Sequence, residues 1–242
     1  MRPIRHLILI LLLSFFSTNC IFAQSNYIPV NREYIERKVK DSSSPFFYPS
    51  LLKRYLAYDS TLNLEDYRFL YFGFPFQPGY SPYASFMNSE LNELLKSKDT
   101  QKALALANDV YQQQPVSPRS LYNMLVTLQV SGSNDPAMRN VQRQYVNIID
   151  AIVSSGDGKS CGTAFKTIFV PDQYEVMANY LNINYQGRIL EGSCDKFSVK
   201  PNQMFEQTFL YFDTSETLRG LSELLKDGAP EKKGKKKKKN KL

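Results

Sequence analysis

Residues 154–160, Ser154-Ser155-Gly156-Asp157-Gly158-Lys159-Ser160, separate two parts of the chain that differ in hydrophobic pattern. Before this stretch, apolar residues recur at helical spacing, as in Tyr67, Leu70, Tyr71 and Phe74. After it, apolar and polar residues alternate in short runs that are typical of strands. The stretch itself predicts a tight turn between the two parts, because Gly and Asp tolerate positive φ angles.

The two patterns together predict an α+β fold. Residues 24–155 are expected to form a helical bundle or a helix-pair array, and residues 156–228 a small antiparallel sheet with two helices. Ala103 and Ala137 lie 34 positions apart, which is the repeat length of tetratricopeptide helix pairs. The helices therefore weakly resemble that repeat, and the alternative is an ordinary helical bundle.

The N-terminus has the order of a secretory signal. A short basic segment precedes an apolar run from Leu7 to Phe16, and small and polar residues follow it. We expect residues 1–23 to be a signal peptide that is cut between Ala23 and Gln24. The alternatives are a membrane anchor, for which the run is about half the roughly 20 residues needed, and lipid attachment at Cys20. The predicted location is the periplasm or the extracellular space.

The net positive charge of the chain comes from its two terminal segments. The formal net charge is +7, but residues 24–230 carry 20 Lys+Arg and 22 Asp+Glu. Residues 229–242 form a lysine-rich tail that is predicted to be disordered. The tail is either a solubilising end or a contact for an anionic surface, through Lys232, Lys233, Lys235, Lys236, Lys237, Lys238 and Lys239. No aromatic residue lies among these lysines, so nucleic-acid binding is not expected.

Several catalytic and metal-binding arrangements are excluded by composition. The only histidine is His6, in the leader, which removes Ser/His/Asp triads, Cys/His dyads and the usual zinc sites. No cofactor and no metal are expected. Gly158-Lys159-Ser160 suggests a phosphate-binding loop, but that loop needs a glycine where Val153 stands. Cys161 and Cys194 are either one disulfide, which an oxidising compartment favours, or two unpaired thiols.

Paired carboxylates are the remaining catalytic candidates. A carboxylate-dependent hydrolase needs two acids across a cleft and a raised pKa on one of them, and the sequence shows neither. Acids are also favoured at helix N-termini for electrostatic reasons. No catalytic residue is therefore assigned, and the three candidate pairs are Glu65 with Asp66, Asp172 with Glu175, and Glu191 with Asp195.

The densest aromatic stretch of the chain is residues 46–83, with thirteen Phe or Tyr residues. It predicts either core packing or a groove that binds a ligand through ring faces and hydroxyls. Phe72, Gln77, Tyr80 and Tyr83 are the residues that packing explains least. They are the candidate binding residues, and the expected partner is another envelope protein or a peptide.

Several short motifs resemble one known family. They are Phe47-Tyr48-Pro49, Leu64-Glu65-Asp66-Tyr67-Arg68, Leu70-Tyr71-Phe72-Gly73, Phe76-Gln77, Tyr80-Ser81-Pro82-Tyr83, residues 155–160 and Thr163-Ala164-Phe165. Together they resemble the domain of unknown function 4919 family of exported proteins from Bacteroides-type bacteria. The resemblance spans nearly the whole mature chain, excludes the lysine tail, implies export and supplies no activity.

The sequence thus favours an exported protein of the cell envelope that acts as a non-catalytic binding or interaction module. Two alternatives stay open. One is a carboxylate-dependent hydrolase that acts on an envelope or extracellular polymer. The other is polyanion binding through the lysine tail.

Overall fold

A computed structural model describes residues 27–82, 88–132 and 136–227 of the chain. These residues form nine α-helices and four strands, and the α+β class is confirmed. The helices are α1 (Arg32–Lys40), α2 (Tyr48–Leu56), α3 (Leu64–Gly73), α4 (Asn88–Lys96), α5 (Thr100–Gln113), α6 (Pro118–Val130), α7 (Pro136–Val153), α8 (Asp172–Glu175) and α9 (Ser215–Asp227). The strands are β1 (Phe165–Lys166), β2 (Tyr185–Glu191), β3 (Cys194–Val199) and β4 (Phe209–Asp213).

Helix α3 is the centre of the helical part. A capping box fixes its start, because the Asn63 side chain accepts from the Asp66 N–H while the Asp66 carboxylate accepts from the Asn63 N–H. Every residue from Asp66 to Gly73 is buried, because the helix packs against α1, α2 and α7. This explains why aromatic residues occur on all its sides: a helix that is apolar all round is buried in a core.

Helices α5, α6 and α7 pack in chain order, each against the next. Ser117 caps α6 through its hydroxyl, and Pro118 occupies the first helical position, as the sequence pattern predicts. The kinship of these helices with tetratricopeptide repeats stays a prediction.

The sheet has the strand order β1-β4-β3-β2. Strands β2, β3 and β4 are antiparallel, and β2 and β3 form a hairpin that turns at Gly192, which has a φ of 64°. The sheet is mixed rather than antiparallel throughout, because β1 pairs with β4 in parallel. A parallel pair needs a long connection, and α8 and the hairpin supply it here.

One hydrophobic cluster joins the two parts of the chain. It contains Leu51 and Leu70 from the first helices, Ile148 from α7, and Phe197 and Phe212 from the sheet. The sheet therefore packs directly on the helical part, and the boundary near residue 156 separates two patterns around a shared core.

Candidate functional site

A cleft lies where the first helices meet the sheet, and we call it the junction cleft. Its walls come from α1, α3, β1 and the start of α9, and its volume is about 200 Å³. The apolar part of the lining is Val30, Ile35, Phe72 and Ile168. The charged part is Arg32, Glu33, Lys166, Asp213, Glu216 and Arg219, three groups of each sign. The cleft thus combines an apolar surface with balanced charge.

The segment before α1 is fastened to the protein body by Arg68. The guanidinium of Arg68 donates to the carbonyl oxygens of Ile28 (2.8 Å) and Pro29 (3.2 Å), and the Ile28 N–H donates to Ser154 O at 2.7 Å. Burial lowers the pKa of Arg68 from its ordinary value. These contacts hold Val30, the next residue, in the wall of the cleft.

The N-terminal turn of α1 supplies two of the charged groups. The Asn31 side chain caps this helix by accepting from the Tyr34 N–H at 2.8 Å. The cap fixes the helix start, so that Arg32 and Glu33 fall in the first turn, on the cleft.

The parallel pairing of β1 with β4 creates the opposite wall. Its register places Lys166 directly beside Asp213, and the Lys166 ammonium contacts the Asp213 carboxylate. The other carboxylate oxygen of Asp213 accepts from the N–H of Ser215 at 2.9 Å and from its hydroxyl. This turn starts α9 and brings Ser215 and Glu216 to the cleft.

Asp213 is held in its ionised form. Burial alone would raise the pKa of its carboxyl, but hydrogen bonds from Lys166 and Ser215 outweigh that effect and lower the pKa below its ordinary value. Asp213 is therefore a permanent negative charge in the cleft at neutral pH.

Glu216 links the two walls. It contacts the Arg32 guanidinium, and it lies 3.2 Å from Nε of Arg219. Ion pairs that face solvent contribute about 0–1 kcal/mol each. Opening one of them for a ligand therefore costs little. The ion pairs of the empty cleft involve five of its six charged residues, and Glu33 is exposed without an ion-pair partner among the described residues.

Thr167 is the unusual polar residue of the wall. Thr167 is 2% exposed, and its hydroxyl oxygen has no hydrogen-bond partner among the described residues. Its backbone N–H donates to Asp213 O, so the strand fixes its position. A buried hydroxyl without a partner costs about 1–3 kcal/mol, and such a group often marks a functional position.

The four candidate binding residues have different surroundings. Phe72 is buried and lines the junction cleft. The Gln77 amide donates to Gly73 O at 3.1 Å, and the Tyr80 hydroxyl donates to Ile168 O while its ring packs on Phe74 and Phe169. Tyr83 lies outside the described residues.

The remaining cleft residues were not singled out from the sequence. Lys166, Thr167 and Asp213 come from segments that only tertiary structure brings together. The local signal that exists, Asp213 followed by Ser215 and Glu216, is typical of a helix start and does not indicate a site.

The candidate catalytic acids lie away from the lining of the cleft. Asp66 belongs to the cap of α3. Asp172 is fully buried and accepts from the Tyr71 hydroxyl and the Phe169 N–H, and burial raises its pKa well above the ordinary value. The Glu191 carboxylate accepts from the Lys196 ammonium at 2.9 Å.

Glu175, the candidate catalytic partner of Asp172, is also buried. Burial raises its pKa, although Nε of Arg119 lies 2.6 Å from its carboxylate. It also accepts from the Asn179 amide at 2.7 Å. The carboxylate of Asp195 accepts from the Gln173 amide at 2.9 Å. Each of these acids thus has a structural contact.

Cys161 and Cys194 form a disulfide with a Cα–Cα distance of 5.7 Å. It ties the 3₁₀ turn Cys161–Thr163 to the first residue of β3. Within the described ranges, no group of three or more His, Cys, Asp or Glu side chains is placed to hold a metal ion. The helices of the same ranges include none with the length and apolar character of a membrane span.

The predictions for Cys20, for cleavage between Ala23 and Gln24, and for the tail 229–242 fall outside the described residues and stay predictions.

Comparison with known proteins adds one finding. A family model described as a domain of unknown function (DUF4919) matches residues 33–222. No curated protein matches the chain, and no solved structure matches it. The match runs from the second residue of α1 into α9 and includes every charged residue of the junction cleft except Arg32. The chain therefore belongs to the DUF4919 family, whose function is unknown.

Proposed function

We propose that this protein is an exported, non-catalytic binding protein of the cell envelope and that its ligand occupies the junction cleft. The observation that carries the proposal is the composition of the cleft. Buried apolar side chains and three charges of each sign line one concave site, and the lining includes Thr167, whose buried hydroxyl has no partner among the described residues. Ligand sites commonly combine an apolar lining with a few placed polar groups.

Two observations support a role in binding rather than catalysis. The chain has no histidine after His6, and Asp213, an acid of the cleft, has a lowered pKa. General acid catalysis uses a carboxyl whose pKa is raised towards the working pH. Among the described acids, the one whose pKa is raised well above its ordinary value is Asp172, which is buried in structural contacts away from the lining of the cleft.

Export is supported by the leader and by the disulfide. Residues 1–23 have the pattern of a signal peptide, and disulfides persist mainly in oxidising compartments. The partner within the envelope is a peptide or a small polar molecule. Mass spectrometry of the native protein tests this part of the proposal, and we expect the mature N-terminus at Gln24. A chain that retains Met1 would contradict export by cleavage.

Ligand binding is tested by a thermal-shift screen of short peptides and small polar metabolites. Each compound that raises the melting temperature is measured again on Arg219→Met, which removes one cation of the cleft. Arg188→Met is the matched control, because Arg188 lies on β2 and its side chain is 44% exposed, against 48% for Arg219. We expect shifts with the native protein and with Arg188→Met that Arg219→Met reduces. Shifts that are equal in both variants would refute a ligand site in the cleft.

A further inference from the structure

We propose that the ligand of the junction cleft is a free α-amino acid with an apolar side chain. This inference rests on the proposed function and names the chemical class of the ligand. It draws on the charge balance, the volume and the apolar lining of the cleft.

The charges of the cleft match a ligand that carries both signs. In an occupied cleft, the cations Arg32, Lys166 and Arg219 would contact the carboxylate of the ligand. The anions Glu33, Asp213 and Glu216 would contact its ammonium group. A simple anion or cation would meet as many repelling as attracting groups. A zwitterion can satisfy both sets at once through charge-assisted hydrogen bonds.

The ion pairs that already exist suit this exchange. Lys166 with Asp213 and Arg219 with Glu216 each present one group of either sign. A zwitterion that inserts into such a pair replaces each broken contact with a contact of the same kind. In the empty cleft, five of the six charges take part in ion pairs, and the sixth, Glu33, is exposed and has no ion-pair partner among the described residues. The ammonium group of a zwitterion would give Glu33 an opposite charge.

The volume of the cleft fits a ligand of about the size of one amino acid. Pockets for drug-sized ligands measure about 300–1,000 Å³, whereas this cleft measures about 200 Å³. An apolar cavity of about 150 Å³ accepts benzene. The cleft therefore has room for one aliphatic or aromatic side chain and its polar head group.

The apolar lining of the cleft favours an apolar side chain on the ligand. Ile35, Phe72 and Ile168 are buried and form a surface of aliphatic and aromatic groups. Most of their surface is already removed from water, and Val30 is the half-buried apolar residue of the lining. A leucine or phenylalanine side chain would cover the apolar surface that the cleft still exposes. A sugar would leave it uncovered.

Isothermal titration calorimetry of the mature protein with L-leucine and L-phenylalanine tests the inference. We expect saturable binding to at least one of them. N-acetyl-L-leucine lacks the ammonium group and L-leucinamide lacks the carboxylate, so each is expected to bind at least about 10-fold more weakly than L-leucine. Arg219→Met should weaken binding of the amino acid about 10-fold, and Arg188→Met should leave it unchanged.

The outcomes separate this inference from the function it rests on. If neither amino acid binds but another small compound or a peptide binds in a manner sensitive to Arg219→Met, the ligand class is refuted and the binding site stands. Equal binding of L-leucine and L-leucinamide would also refute the zwitterion. If no compound binds in a manner that depends on Arg219, both the class and the site are refuted.

Discussion

Replacing Thr167 with valine is expected to stabilise the protein in the absence of ligand. Most substitutions of buried residues destabilise proteins, so the sign of this effect is a strong test. The Thr167 hydroxyl is buried and has no hydrogen-bond partner among the described residues. Valine has nearly the same shape and a methyl group in place of the hydroxyl, and both residues suit a strand-like backbone.

The magnitude follows from the desolvation of the hydroxyl. An unsatisfied buried hydroxyl costs about 1–3 kcal/mol, and the substitution removes that cost without a change of volume. We expect the free energy of unfolding to rise by about 1–2 kcal/mol, the lower part of the range, since local relaxation already relieves some of the penalty. For a domain of this size, each kcal/mol shifts the melting temperature by about 2–4 °C.

The assay is urea unfolding, read by circular dichroism, together with a thermal melt. Thr127→Val is the matched control, because Thr127 is also buried but its hydroxyl donates to Asn123 O at 2.8 Å. That variant loses a hydrogen bond and is expected to be less stable by about 0.5–1.5 kcal/mol. The two valine variants should therefore change stability in opposite directions.

A Thr167→Val protein that loses stability as Thr127→Val does would refute the reasoning. It would show that the Thr167 hydroxyl has a hydrogen-bond partner in the free protein.

Three further predictions concern the frame around the cleft. Replacing Cys161 and Cys194 with alanine opens a loop of 33 positions and should lower the free energy of unfolding by about 3.5–4 kcal/mol in the chain-entropy model. An unchanged urea midpoint would contradict this contribution of the disulfide. Gly156→Ala puts a Cβ 2.3 Å from Thr163 O and should cost about 1–3 kcal/mol, which a melting temperature equal to that of the native protein would disprove. Burial raises the pKa of Asp172, so the folded state binds a proton that the unfolded state releases, and urea midpoints should rise as pH falls from 7 to 5. Asp172→Asn should flatten this dependence of the urea midpoint on pH. An identical pH dependence in the native protein and the variant would contradict the raised pKa of Asp172.

Much of the helical part can be predicted because its signals are local. The cap at Asn63 and the Ser117-Pro118 start of α6 are contained in a few adjacent residues, and the structure has both. The hairpin of β2 and β3 is also marked locally, by the Gly192-Ser193 turn between two strand-like segments. Such features depend on backbone propensity and hydrogen bonds between near neighbours, which a single sequence displays.

The parallel pairing could not be predicted in the same way. Strand β1 has two residues, and its partner β4 begins at Phe209, more than forty positions later. No periodicity extends over two residues, so nothing local specifies the direction of pairing. The expectation of an antiparallel sheet followed from the longer strands, which do pair in that manner.

The candidate site depends on that pairing and was therefore missed in large part. Lys166 meets Asp213 through the β1–β4 register, and Arg32 meets Glu216 across 184 positions of chain. Phe72 could be selected because α3 carries more aromatic residues than one helix face explains. Gln77 and Tyr80 follow α3 in the same aromatic stretch and were selected because packing explained them least, yet their polar groups bond to backbone carbonyls.

The central claim is that the junction cleft binds a free α-amino acid with an apolar side chain. The most direct measurement is an amide NMR titration of the isotope-labelled mature protein with L-leucine and, separately, with L-phenylalanine. With at least one of them we predict saturable shifts of the Thr167 and Ser215 amides, which flank the cleft charges, and unchanged signals from α5, which contributes no residue to the lining of the cleft. Shifts confined to residues away from the cleft, or no shift in a large excess of either amino acid, would contradict the claim.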